Sequence, residues 1–161
     1  MLLEMDSSYM RQLRIPNFVI CIFCAICLSG HARASNPDLQ PLSEMLKGEV
    51  EIATWYEVFK RCSALHIAMQ KDTRNLGLSE ADEAKIRKRY QKDISLWREQ
   101  TGKISVKAKS KDSEEQISQS IFELSETYLK LFEQNRSEMG KSLNGLAAED
   151  FTYCLQLQSR W

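Results

Sequence analysis

Cys62, His66 and Cys154 are the side chains with the most chemical potential in the body of this chain. The sequence holds five cysteines. Cys21, Cys24 and Cys27 fall inside a continuous apolar run, where they act as small apolar residues. If that run is an export signal, Cys62 and Cys154 remain, and an oxidising compartment would join them as a disulfide. The plainer alternative is two separate buried thiols. His66 follows Cys62 by one helical turn and shares its face. It could serve as a base, a pH-sensing group or one metal ligand. The plainer reading is a histidine at the bundle edge, hydrogen-bonded or wet. Zinc sites combine several Cys and His ligands, and once the cysteines pair His66 stands alone. After residue 34 there is no C-x-x-C, C-x-x-C-H or H-E-x-x-H. We therefore expect no metal and no cofactor.

Other chemistries find weaker support. A serine triad assembles in space, so spacing alone does not exclude it. No G-x-S-x-G is present, and an all-helical fold lacks the strand-to-helix elbow that motif needs. The acid pairs Glu114-Glu115 and Glu149-Asp150 point to different helix faces. They read as solvated faces or as first-turn acids at a helix start. Ile86-Arg-Lys-Arg-Tyr90 could meet an acidic partner or a lipid headgroup. It reads more simply as an outer helix face offset by Glu80, Asp82, Glu83 and Asp93. Asn135-Arg-Ser137 fits a glycosylation sequon but lies within an expected helix. Trp55 and Trp161 are candidate binding residues, since an exposed tryptophan is a common interface anchor. Trp97 belongs to an inner face.

Stepping along the chain from its start, Phe18–Gly30 forms the continuous apolar run. Arg11 and Arg14 precede it. His31-Ala-Arg-Ala34 follows, with Ala32 and Ala34 at the small-residue positions before a cut at Ser35. That is a charged region, an apolar core and an A-x-A site, the pattern of a cleaved signal peptide. The core has about 13 residues, whereas a helical membrane span needs about 20. The alternative is an uncleaved anchor. Met10 offers a second start that would give a signal of ordinary length. No small residue precedes Cys21, Cys24 or Cys27, so a lipoprotein signal does not fit. The expected domains are a signal peptide over 1–34 and one helical domain over 35–161.

That domain, about 127 of the 161 residues, is long enough to bury one core. Over the whole chain glycine (6) and proline (3) are few, and in this domain apolar residues recur at three- and four-residue steps. Ser35–Pro41 reads as an extended lead-in. A first long helix is expected over about 42–72, with Leu42, Met45, Leu46, Ile52, Ala53, Tyr56, Phe59, Cys62 and Met69 on one face and a Glu57–Arg61 pair outside. Gly48 suggests that its first turns are separate. Gly77 marks the turn, and Ser79-Glu-Ala-Asp82 resembles a capping box. The next helix spans about 80–100, with Ile86, Tyr90, Ile94 and Trp97 inward and Glu83–Arg87 outward. Thr101–Lys111, with Gly102 and its spaced lysines, reads as a solvated connection. A further helix over about 113–139 carries Ile117, Ile121, Leu124, Tyr128 and Leu131 in a 4-3-4-3 seam. Asn135 falls where that seam continues. It would either fix register or, more simply, mark where the helix leaves the core. Gly140 closes this helix. The last helix, about 147–158, turns Phe151, Cys154 and Leu155 inward. The expected fold is all-α, an antiparallel four-helix bundle stapled by one disulfide.

Lysine plus arginine (22) balances aspartate plus glutamate (22). That gives no electrostatic reason to expect nucleic acid or an anionic membrane surface. Trp55-Tyr-Glu-Val-Phe-Lys-Arg-Cys-Ser-Ala-Leu65, with a late cysteine in the last helix, resembles small exported helical proteins of bacteria that mostly lack an assigned activity. No function is carried over from that resemblance. The expectation is a periplasmic or secreted, non-catalytic protein that binds a protein partner, with no stable membrane insertion after cleavage. An immunity-type or inhibitor protein that neutralises a toxin is one version. An enzyme or small-ligand carrier using a pocket near His66, and a membrane-tethered accessory protein, are the other classes.

Overall fold

The computed structural model describes residues 39–160. The export segment, its cleavage residues Ala32, Ala34 and Ser35, and Trp161 lie outside the described residues. The described chain is all-helical, in the order α1 (Leu42–Met45), α2 (Ile52–Asp72), a 3-10 turn (Thr73–Asn75), α3 (Glu80–Lys107), α4 (Glu114–Met139) and α5 (Gly145–Gln158). The expected first helix is split. Its opening turn is α1, and Gly48 at φ 81° lies between α1 and α2. Glycine enters that left-handed region without the steric cost a side chain would add.

α2 is the hub of the fold, with α3 and α4 packed on it and α5 closing against it. Every residue from Val58 to His66 is buried. A helix buried on all sides belongs at the centre, so the single inward face read from spacing is too narrow. Gln70 bonds the Arg87 carbonyl, His66 meets the Tyr90 ring and Phe59 meets the Trp97 ring. Partners on α3 advance as those on α2 recede, so α2 and α3 form an antiparallel hairpin. Its turn has Gly77 at φ 63°. The Ser79 hydroxyl then caps α3, accepting from the Asp82 N–H at 3.2 Å.

α3 corrects the expected break over 101–111, because the helix runs on to Lys107. Thr101 is fully buried, and its hydroxyl donates to the Trp97 carbonyl at 2.8 Å. Gly102 is exposed, so it costs helix propensity, about 1 kcal/mol, without breaking the packing. The lysines do not interrupt this helix, and Lys107 sits in its last turn, where a cation complements the helix dipole. The chain turns instead at Lys109, φ 52°. The Tyr56 hydroxyl ties down this connection by donating to Asp112 Oδ2 at 2.9 Å. Burial first, then that bond to the carboxylate, push the Tyr56 hydroxyl up to about 12.

Ser113 and Gln116 form a reciprocal capping box that starts α4. Ile121, Tyr128 and Leu131 are buried along the expected seam. Asn135 does not leave the core. It is buried, and its amide donates to the carbonyls of Ser142 at 2.9 Å and Asn144 at 3.1 Å, which fixes the turn into α5. On α5, Cys154 and Leu157 point inward while Leu155 is exposed, the reverse of the expectation for Leu155. Cys62 and Cys154 sit at disulfide distance, S–S 1.99 Å and Cα–Cα 5.6 Å, and so join α2 to α5.

Candidate functional site

Beside the cysteine pair lies a buried charge knot that spacing alone did not reveal. Arg61 precedes Cys62, and Asp150 lies one turn before Cys154. The Arg61 and Asp150 side chains form an ion pair with 5% and 0% exposure. Asp150 Oδ2 also accepts from the Tyr128 hydroxyl, and Oδ1 accepts from the Leu42 N–H at 2.9 Å. The Arg61 fork uses its remaining donors on the Tyr128 oxygen, at 3.2 Å from Nε and 3.1 Å from Nη2, and on the Gln40 carbonyl and the Met45 sulfur. One planar guanidinium therefore ties α2 to α4, α5 and the segment around α1. Burial and the neighbouring Asp150 charge push the Tyr128 hydroxyl far above its ordinary value. Two expectations change. Glu57 pairs with Lys60 at 2.7 Å rather than with Arg61, and Asp150 is no solvated acid.

His66 is not at the edge either. It is fully buried, with ring centroids of Phe151, Tyr90 and Trp97 at 5.8, 6.0 and 6.3 Å. Its Nδ1 lies 2.8 Å from the Cys62 carbonyl. A carbonyl only accepts, so Nδ1 carries the proton. Nε2 is then a buried acceptor with no hydrogen-bond partner. Burial lowers the His66 pKa, against the Cys62 carbonyl and Asp93, which favour the charged ring. A neutral imidazole in an aromatic cage is not the polar pocket that a ligand site at His66 requires. Trp55 is half-buried, its ring 5.9 Å from Phe59. Among the described residues no three His, Cys, Asp or Glu side chains come together to hold a metal. No helix among them is long and apolar enough to cross a membrane.

An open cleft of about 480 Å³ lies where α2 and α4 end. Met69, Leu76, Tyr90, Phe132 and Leu143 give it an apolar lining. Asp72, Asn75, Arg136, Lys141 and Ser142 supply polar groups. Arg136 Nη1 pairs with Asp72 Oδ1 and donates to Ser142 Oγ at 2.7 Å. Asn75 donates to the same Asp72 oxygen at 2.9 Å. Burial alone would raise the Asp72 carboxyl, but hydrogen bonds from Asn75, Ser142 and Arg136, with the Arg136 charge, hold it below its usual value. The sequence reading passed over all of these groups as a site. They come from the ends of two helices and the loops after them, and no local motif joins them.

No protein-family model, curated protein or solved structure matches this chain.

Proposed function

We propose that this protein is a small exported helical binding factor that matures by loss of residues 1–34 and acts on a protein partner without catalysing a reaction. In this reading the mature helices form an antiparallel four-helix bundle, with α1 as an added turn, in the periplasm or outside the cell. One observation carries it. The side chains best suited to chemistry are turned inward and engaged in structure: the cysteines pair with each other, Arg61, Tyr128 and Asp150 saturate one another, and His66 is caged. A long-range cysteine pair also suits an oxidising compartment.

The test is expression of the full precursor in a bacterial host, with intact mass of the envelope-soluble fraction before and after reduction with alkylation. The expected species begins at Ser35 and gains two alkyl groups only after reduction. A tagged mature form should then retain a stoichiometric protein partner from the envelope. A full-length mass that stays with carbonate-washed membranes would replace the reading with a tethered accessory protein. Repeated captures without a partner would refute the binding role. A second reading, a small-ligand carrier, is favoured by the cleft rather than by His66.

A further inference from the structure

We propose that the cleft at the ends of α2 and α4 binds a small amphipathic anion, a flat apolar body bearing one carboxylate or sulfonate group. Its volume, about 480 Å³, falls in the range of roughly 300–1,000 Å³ typical of small-molecule sites. Phe132 and Tyr90 offer aromatic surface, with Met69 and Leu143 beside them. Leu76 lines the cleft while 52% exposed, an apolar side chain that a bound apolar body would cover.

The charges decide the sign of the ligand. Asp72 already pairs with the Arg136 charge, its Oδ1 accepts from both Arg136 and Asn75, and its side chain is 5% exposed, so little of it is open to a cation. Arg136 is held in place through Nη1, while its Nε and Nη2 have no hydrogen-bond partner among the described residues, and the side chain is 31% exposed. The guanidinium is therefore held at the cleft with part of its donor set unused, the situation in which it can recognise an anionic group. Lys141 adds a positive charge that no described acid pairs. Two helix C-termini bring partial negative charge to this end. Arg136 sits in the last turn of α4 and Lys141 just beyond it, where a helix end favours cations. The lip is also pre-formed. Gly140 takes the left-handed C-cap at φ 70°, and the Asn135 amide holds the Ser142 and Asn144 carbonyls. A preformed site loses little ordering entropy on binding.

The probes are 1-anilinonaphthalene-8-sulfonate and the neutral N-phenyl-1-naphthylamine, which has the same rings without the sulfonate. Both are titrated by fluorescence into the disulfide-intact protein well below its melting temperature. The sulfonate should saturate one site with a Kd on the order of tens of micromolar, a modest value for a ligand of that size. The neutral dye should bind at least about fivefold more weakly. Lys141→Glu reverses an unpaired surface charge, so the fold is not at risk. It should weaken the sulfonate about tenfold and leave the neutral dye unchanged. Leu76→Glu should weaken both. Amide NMR shifts on binding should centre on Phe132, Arg136 and Leu143. Non-saturable binding, equal affinity for the two dyes, an unaltered Kd in Lys141→Glu, or shifts centred elsewhere would each overturn the proposal.

Discussion

Asp150→Asn tests the buried knot most directly, because it removes one charge and almost no volume. Asp150 and Tyr128 are fully buried and Arg61 is 4% exposed, so water cannot replace the lost partner. The Arg61 guanidinium would be left buried without a counter-charge. Breaking a buried pair from one side costs about 3–5 kcal/mol, a large share of a total stability on the order of 5–15 kcal/mol. Arg61→Met should cost a similar amount, because it strands the Asp150 carboxylate. The double variant Arg61→Met with Asp150→Asn removes both charges. Its asparagine can still accept from the Leu42 N–H and donate to the Tyr128 oxygen. We expect the double variant to lose only about 1–3 kcal/mol, because a neutral, packed replacement avoids desolvating two ions. The coupling energy is then several kcal/mol and favourable to the pair. The assay is urea unfolding with the cysteines kept paired, followed by near- and far-ultraviolet circular dichroism. The slope with urea should stay constant, so that midpoint shifts report stability. A loss under about 1 kcal/mol in Asp150→Asn, or a double variant that loses the sum of the singles, would refute the coupled-charge account.

Reducing the Cys62–Cys154 pair, or Cys62→Ser, releases a link between residues separated by 92 positions; loop entropy puts its worth at up to about 4–5 kcal/mol, and an unchanged urea midpoint after verified reduction would contradict that. His66 should make stability fall as pH drops below about 6.5: its folded pKa is depressed by burial, so the unfolded chain takes up the proton first, and the slope approaches about 1.4 kcal/mol per pH unit at most. His66→Asn should flatten the profile between pH 6.5 and 5 in urea titrations, whereas Asp72, also depressed, acts only below about pH 4.

The parts of this structure that could be read from sequence are those written in local spacing. Gly140 and Ser79 marked helix ends because left-handed backbone and orphan N–H groups impose those residue types. Cys62 and Cys154 could be matched because setting aside the apolar run left two cysteines. The misread residues are those whose position a distant partner decides. Arg61 had Glu57 one turn before it, so a surface pair was the local answer. It also sits between Val58 and Leu65 at helical spacing and next to Cys62. Asp150 is one turn before Cys154. Opposite charges flanking two cysteines that pair was the available signal for a buried contact. Over 101–111, lysine count outweighed the pattern Trp97, Thr101, Ile104 and Ser105, which keeps a buried or half-buried stripe facing inward. The cleft left no trace in any segment, since it exists only where two helix ends and their loops meet.

The middle of α2 and its C-terminal end are secured by different means, and the difference bears on binding. Around Arg61 and Cys62, a covalent link and a saturated ion pair fix α5 and the α1 segment within a few residues of each other. At the far end, Asp72 meets Arg136 and the Asn135 amide holds the turn after α4. The first set has its hydrogen bonds made within the protein, so it contributes rigidity. The second set leaves Arg136 donors and Lys141 unspent. Rigid support beneath unsatisfied, partly exposed groups is the arrangement that lowers the entropy lost on binding. Mutations in the first set should therefore act on stability, and mutations at Lys141 or Leu76 on recognition. If both kinds of change moved stability and left dye binding intact, the division of labour along α2 would be wrong.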